Sequence, residues 1–154
     1  MKTHSSTSAA PDETASYAQD GLTAEFYRGR QDAVSDQAVI ILGGSDGNFK
    51  TTQQFAAAFA DHGLNTLALP YYGQPHLPKD LAQIPVETVE TAAGWLHRRG
   101  FTRIGIWGIS MGAQLALLAA SLIPAIGRVA AVSPLDVCVQ GLQVSPRKRL
   151  LDCS

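Results

Sequence analysis

One stretch of this sequence leaves little freedom to the fold. Residues 103–107 (Arg-Ile-Gly-Ile-Trp) form a short apolar, strand-like run, and residues 113–120 form an Ala/Leu-rich helix former. Between them lies Gly108-Ile109-Ser110-Met111-Gly112, the G-x-S-x-G pattern, which places Ser110 at the tip of a sharp strand-to-helix turn. The two glycines have a steric task, because side chains at Gly108 and Gly112 would collide with the neighbouring strand and helix. Such a turn holds a hydroxyl at the positive end of a helix and aims the Met111 N–H where a developing oxyanion would sit. The competing reading is an ordinary strand-to-helix turn in which Ser110 acts only as a helix N-cap.

The rest of the chain repeats the same alternation. Residues 38–42 (Ala-Val-Ile-Ile-Leu) are a continuous β-branched run of the kind buried on both faces of a sheet, and residues 65–69 (Asn-Thr-Leu-Ala-Leu) read as the next buried strand, stopped by Pro70. Residues 22–27 alternate weakly and suggest an earlier strand; residues 128–132 suggest a last one. Helices are expected over 51–62, closed by Gly63, and over 85–99, with Pro85 in the first turn and Gly100 after the end. Strands alternating with helices imply right-handed crossovers and a mostly parallel sheet with helices on both faces, an α/β class.

With 154 residues, 45% of them apolar and 16% charged, the chain suits one globular domain. The division expected is a flexible leader over 1–20, an α/β domain over 21–142 and an irregular tail over 143–154. A formal net charge of −1 without a basic stripe argues against nucleic acid as a partner. Cys138 and Cys153 make no framework, and a reduced, cytoplasmic setting is expected. No apolar run is long enough to span a bilayer, and no ligand spacing implies a metal or cofactor.

A second motif, Gly43-Gly44-Ser45-Asp46-Gly47, directly follows the 38–42 strand and precedes a helix. It lacks the spacing of a nucleotide-binding loop. Paired with the Ser110 turn, it is where a second oxyanion-hole N–H would arise, from Ser45 by preference or from Gly44.

Several segments in order resemble one family: Leu42-Gly-Gly-Ser-Asp-Gly47, His62-Gly-Leu-Asn-Thr-Leu-Ala-Leu69, Tyr71-Tyr72, Leu77-Pro-Lys-Asp-Leu81, Ile84-Pro-Val-Glu-Thr-Val-Glu90, Trp95-Leu96 and Gly108-Ile-Ser-Met-Gly-Ala113. Ser133-Pro134 and Gln140-Gly141-Leu142 continue the pattern. Together they are similar to the C-terminal domain shared by acyl-CoA thioester hydrolases and bile acid-CoA:amino acid N-acyltransferases. The resemblance spans about residues 22–142. It implies an α/β-hydrolase fold and an acyl-enzyme mechanism on a small acyl thioester. It also favours hydrolysis over acyl transfer, because the transferases carry cysteine where this chain has Ser110. A carboxylesterase or dienelactone-type enzyme, or a non-catalytic remnant, are the alternatives.

A nucleophilic serine needs a base and a residue that orients it. On this fold they follow the serine, first the acid and then the histidine. His4, His62, His76 and His97 all precede Ser110. His62 and His97 stand near helix ends, where they suit terminal carbonyls, and His76 occupies a loop that can border the site. Asp136 follows the 128–132 strand and reads as a loop or cap residue; Asp46 reads as a turn residue, and Asp152 lies in the tail. The expectation is therefore a C-terminally truncated hydrolase domain that lacks the triad acid and histidine, with last strands missing.

Overall fold

A computed structural model describes residues 9–30, 36–135, 141–145 and 148–151. The elements run β1 (Glu13–Ala15), α1 (Tyr17–Asp20), β2 (Ala24–Tyr27), β3 (Gln37–Leu42), α2 (Phe49–Asp61), β4 (Thr66–Ala68), β5 (Leu81–Ala82), α3 (Glu87–Arg98), β6 (Arg103–Ile109), α4 (Met111–Leu122), β7 (Ile126–Val132), β8 (Gly141–Ser145) and β9 (Lys148–Leu151). A six-stranded sheet has the order β1-β2-β4-β3-β6-β7. β4, β3, β6 and β7 are mutually parallel, and β2 and β1 add antiparallel.

The β3 run is buried on both faces because helices cover both. Ile40 and Leu42 join Leu67, Val89, Trp95, Ile106, Leu115 and Ala116 in one cluster on the α3 and α4 side. Ile41 points the other way, into a smaller cluster with Ala56, Ala57 and Ala60 of α2. That alternation is the period-2 pleat of a central strand. Thr66 spends its buried hydroxyl on the Ala56 carbonyl of α2 at 2.8 Å, so the polar atom has its partner inside the core.

Two boundaries differ from the sequence expectation. The leader does not end at residue 20: β1 pairs with β2, Ala15 is buried, and the Trp95 indole N–H donates to Asp20 at 3.1 Å. Arg99 lies over the Trp95 ring, 3.4 Å from its centroid, and pairs with Glu13 of β1. A Ser/Thr-rich composition signals weak local preference, and here long-range pairing overrides it. In the expected irregular tail, β8 pairs with β5 and with β9, both antiparallel. Among the described residues β7 pairs with β6 alone, and Gly127, Arg128, Val129, Ala130 and Val132 are exposed on it.

Candidate active site

Parallel pairing brings the two motifs together. Leu42, the last residue of β3, is in register with Gly108 of β6. The loops leaving these strands therefore sit side by side at their C-terminal ends, where sheets of this kind place ligands.

Ser110 occupies a backbone conformation that L residues rarely adopt, φ 55° and ψ −120°. Its N–H donates to the Val132 carbonyl at 2.9 Å, and its carbonyl accepts from Ala113 and Gln114 at 3.0 and 3.2 Å. The backbone is thus held from both sides while the half-buried side chain makes no capping bond to α4. A helix N-cap has extended backbone and a side chain bonded to the first turn, so Ser110 is not an ordinary N-cap.

The glycines carry the expected steric load. A Cβ on Gly108 would run into the backbone of Gly112 and lie 2.7 Å from the Ala113 nitrogen. A Cβ on Gly112 would strike the Gly43 carbonyl oxygen and lie 2.8 Å from that of Leu42. Real Cβ atoms do not approach this closely, so both close contacts exist only because both residues are glycine.

On the β3 side, a Cβ built on Gly44 would lie 3.7 Å from Ser110 Cβ and 3.8 Å from the Ile109 carbonyl oxygen, so the loop passes beside the serine turn with room for one methyl group between them. Ser45 is exposed beside it. Met111 opens α4, where first-turn N–H groups have no partner within the helix. The Tyr71 hydroxyl donates to the Gly43 carbonyl at 2.8 Å and lies 3.2 Å from the Gly44 carbonyl. Burial, then the neighbouring Tyr72 and the Asp46 carboxylate, push the Tyr71 phenol well above its ordinary value and keep it a donor. The sequence places Tyr71 in a loop after Pro70 and within a segment that resembles the family, and neither points to a hydroxyl that holds carbonyls 27 and 28 residues earlier.

No family model matches the chain. It is 38% identical over 71 residues to the mouse peroxisomal succinyl-coenzyme A thioesterase, covering 44% of this chain and 17% of that protein. It is 33% identical over 107 residues to rat mitochondrial acyl-coenzyme A thioesterase 2, covering 63% of this chain and 23% of that protein. The chain thus spans less than a quarter of the length of either. Among solved structures it superposes on the α/β hydrolase GrgF from Penicillium with TM-score 0.60 at 20% identity, over 74% of this chain and 42% of that one. A Klebsiella pneumoniae protein described as a dienelactone hydrolase gives TM-score 0.61 at 18% identity, over 76% and 56%.

The fold is that of the α/β-hydrolases.

In this α/β-hydrolase framework the other candidate residues that the structure describes have partners or positions of their own. His62 bonds the Ala58 carbonyl through Nδ1 at 2.8 Å, as its place at the end of α2 suggests. His76, at φ 68°, is exposed and stacks on Tyr17 with centroids 4.6 Å apart. His97 is exposed in the last turn of α3. No hydrogen bond joins any of these three to Ser110 among the described residues. Asp46 accepts from the Asn48 N–H and from the Thr51 hydroxyl, both at 3.3 Å, which is turn and helix-start work. His4, Asp136, Cys138, Asp152 and Cys153 lie outside the described residues. Among the described residues no three His, Cys, Asp or Glu side chains cluster as metal ligands, and no helix is long and apolar enough to cross a membrane. The cytoplasmic setting expected from the cysteines gets no support from the two thioesterases, whose names place them in the peroxisome and the mitochondrion.

A groove of about 720 Å³ over β3, β6 and β7 is lined by Val39, Phe59, Trp107 and Val129. It does not include Ser110 or the Gly43–Gly47 loop.

Proposed function

We propose that this chain carries the nucleophile and oxyanion-hole half of a serine hydrolase site for acyl thioesters of the acyl-CoA type. Ser110 Oγ attacks the thioester carbonyl, the C–S bond breaks, the CoA thiolate leaves, and the serine proton passes to a base. The Met111 N–H and a loop N–H, from Ser45 or Gly44, face the oxygen that becomes negative. The observation that carries this reading is the strained, uncapped Ser110 beside the loop at Gly44. The thioester class is supported by the likeness to two acyl-CoA thioesterases. No histidine follows Ser110 in the sequence, so a base in the usual order is not among these residues.

Intact-mass measurement after long incubation with a fluorophosphonate tests the nucleophile. Slow formation of a single adduct, absent in Ser110→Ala, is expected, since an oxyanion hole alone retains part of the rate enhancement. A folded chain that never labels would remove Ser110 as a nucleophile in this protein. Likeness to a dienelactone hydrolase structure favours an oxyester reading as the rival. Acyl-CoA and the matching p-nitrophenyl ester, offered at equal concentration, separate the two by which one acylates Ser110 faster.

A further inference from the structure

Tyr71 follows β4, the loop at Gly43 follows β3, and Ser110 follows β6; the three strands are adjacent in the sheet. The Tyr71 hydroxyl meets two successive loop carbonyls, those of Gly43 and Gly44, at 2.8 and 3.2 Å. These carbonyls belong to the peptide units whose N–H groups are those of Gly44 and Ser45. Among the described residues no peptide bond is cis, and in a trans peptide the N–H points opposite to the C=O. One hydroxyl that gathers both carbonyls on its own side turns both N–H groups to the other side. Successive N–H groups on one side make a concavity suited to an anion. The Gly43 carbonyl is also pinned from the serine turn, since its oxygen lies against Gly112 where a Cβ would be. The ring of Tyr71 is buried and in contact with Tyr72 at 5.2 Å between centroids, so the hydroxyl has little room to swing away.

We infer that Tyr71 is the positioning residue of the oxyanion hole, a buried phenol that sets the direction of the Gly44 and Ser45 N–H groups and polarises their peptide units. This rests on the Ser110 reading above. Tyr71 touches no reacting atom. Its effect reaches the substrate through the two amides, which a hydrogen bond on the preceding carbonyl makes stronger donors.

The experiment uses the whole chain as Tyr71→Phe, which keeps the ring and removes the hydroxyl. Two readouts are taken. The backbone ¹⁵N shifts of Gly44 and Ser45 report the bond to the preceding carbonyl whether or not the serine reacts; both are expected to move upfield, with the β4 core residues unmoved. The phosphonylation rate of Ser110 is expected to fall about tenfold, the size of one lost hydrogen bond. Unmoved ¹⁵N shifts overturn the inference, and so does a wild-type labelling rate in Tyr71→Phe. If the wild-type chain does not label at all, the proposed function fails by itself, and the two ¹⁵N shifts alone decide for or against the role of Tyr71. Should Tyr71→Phe fail to fold, 3-fluorotyrosine at position 71 keeps the hydroxyl and makes it a stronger donor. It is then expected to move the two shifts downfield and to speed labelling, and no movement would count against the inference.

Discussion

Gly112 of α4 faces the carbonyl oxygens of Leu42 and Gly43 so closely that no side chain fits between them. The serine turn and the loop after β3 are therefore one packed unit. Gly112→Ala forces backbone apart and is expected to cost about 2–4 kcal/mol in urea unfolding. Gly127→Ala, which meets nothing within 4 Å, is the control and should stay within about 0.5 kcal/mol of wild type. Equal stability of the two variants would show that the contact is not tight in solution.

Ser110 holds a positive φ that glycine adopts without strain. Ser110→Gly should therefore raise stability by about 1 kcal/mol while abolishing fluorophosphonate labelling. A loss of stability in Ser110→Gly would mean that the turn is not strained.

Tyr27 and Tyr71 both have phenol pKa values raised above the ordinary value, in each case chiefly by burial, with the Glu25 bond and charge adding to it for Tyr27. A raised folded value means that the fold favours the protonated phenol. Its stabilising contribution is complete below about pH 10 and declines as pH rises from there toward the folded value. Urea unfolding between pH 8 and 12 should show stability falling above about pH 10, with a shallower fall in Tyr71→Phe. A flat profile in the wild type would contradict the burial of these hydroxyls.

His62 is held to the Ala58 carbonyl and His76 is stacked on Tyr17. His62→Ala and His76→Ala should each label at a rate within about twofold of wild type, since neither bonds Ser110. A tenfold or greater loss in either would identify it as the missing base.

Val129 is exposed on β7, where the sheet is open among the described residues. An edge strand with apolar side chains invites pairing with other chains, and lysine discourages it. Val129→Lys should leave the unfolding midpoint nearly unchanged and raise the concentration at which light scattering detects aggregation. No change in aggregation would place the adhesive surface elsewhere.

Local pattern carried much of this protein into view. The run at 38–42 is β3, the run at 103–107 lies within β6, and the Ala/Leu segment lies within α4, because buried central strands and good helix formers declare themselves over a few neighbouring residues. The G-x-S-x-G spacing likewise announced a turn that only glycines could flank, and the structure shows the two collisions that explain it. β1, β8 and β9 were invisible, since a short strand has little local preference and is made by the partner it meets. Tyr71 was invisible for a related reason. Its partner carbonyls lie 27 and 28 residues earlier, in the loop after the neighbouring strand, and only the parallel pairing of β4 with β3 brings the hydroxyl to them. The sequence by itself determined the strand–turn–helix and the residue at its tip. The tertiary structure decided which backbone faces that residue and what holds it there, because those contacts join segments that are distant in the chain.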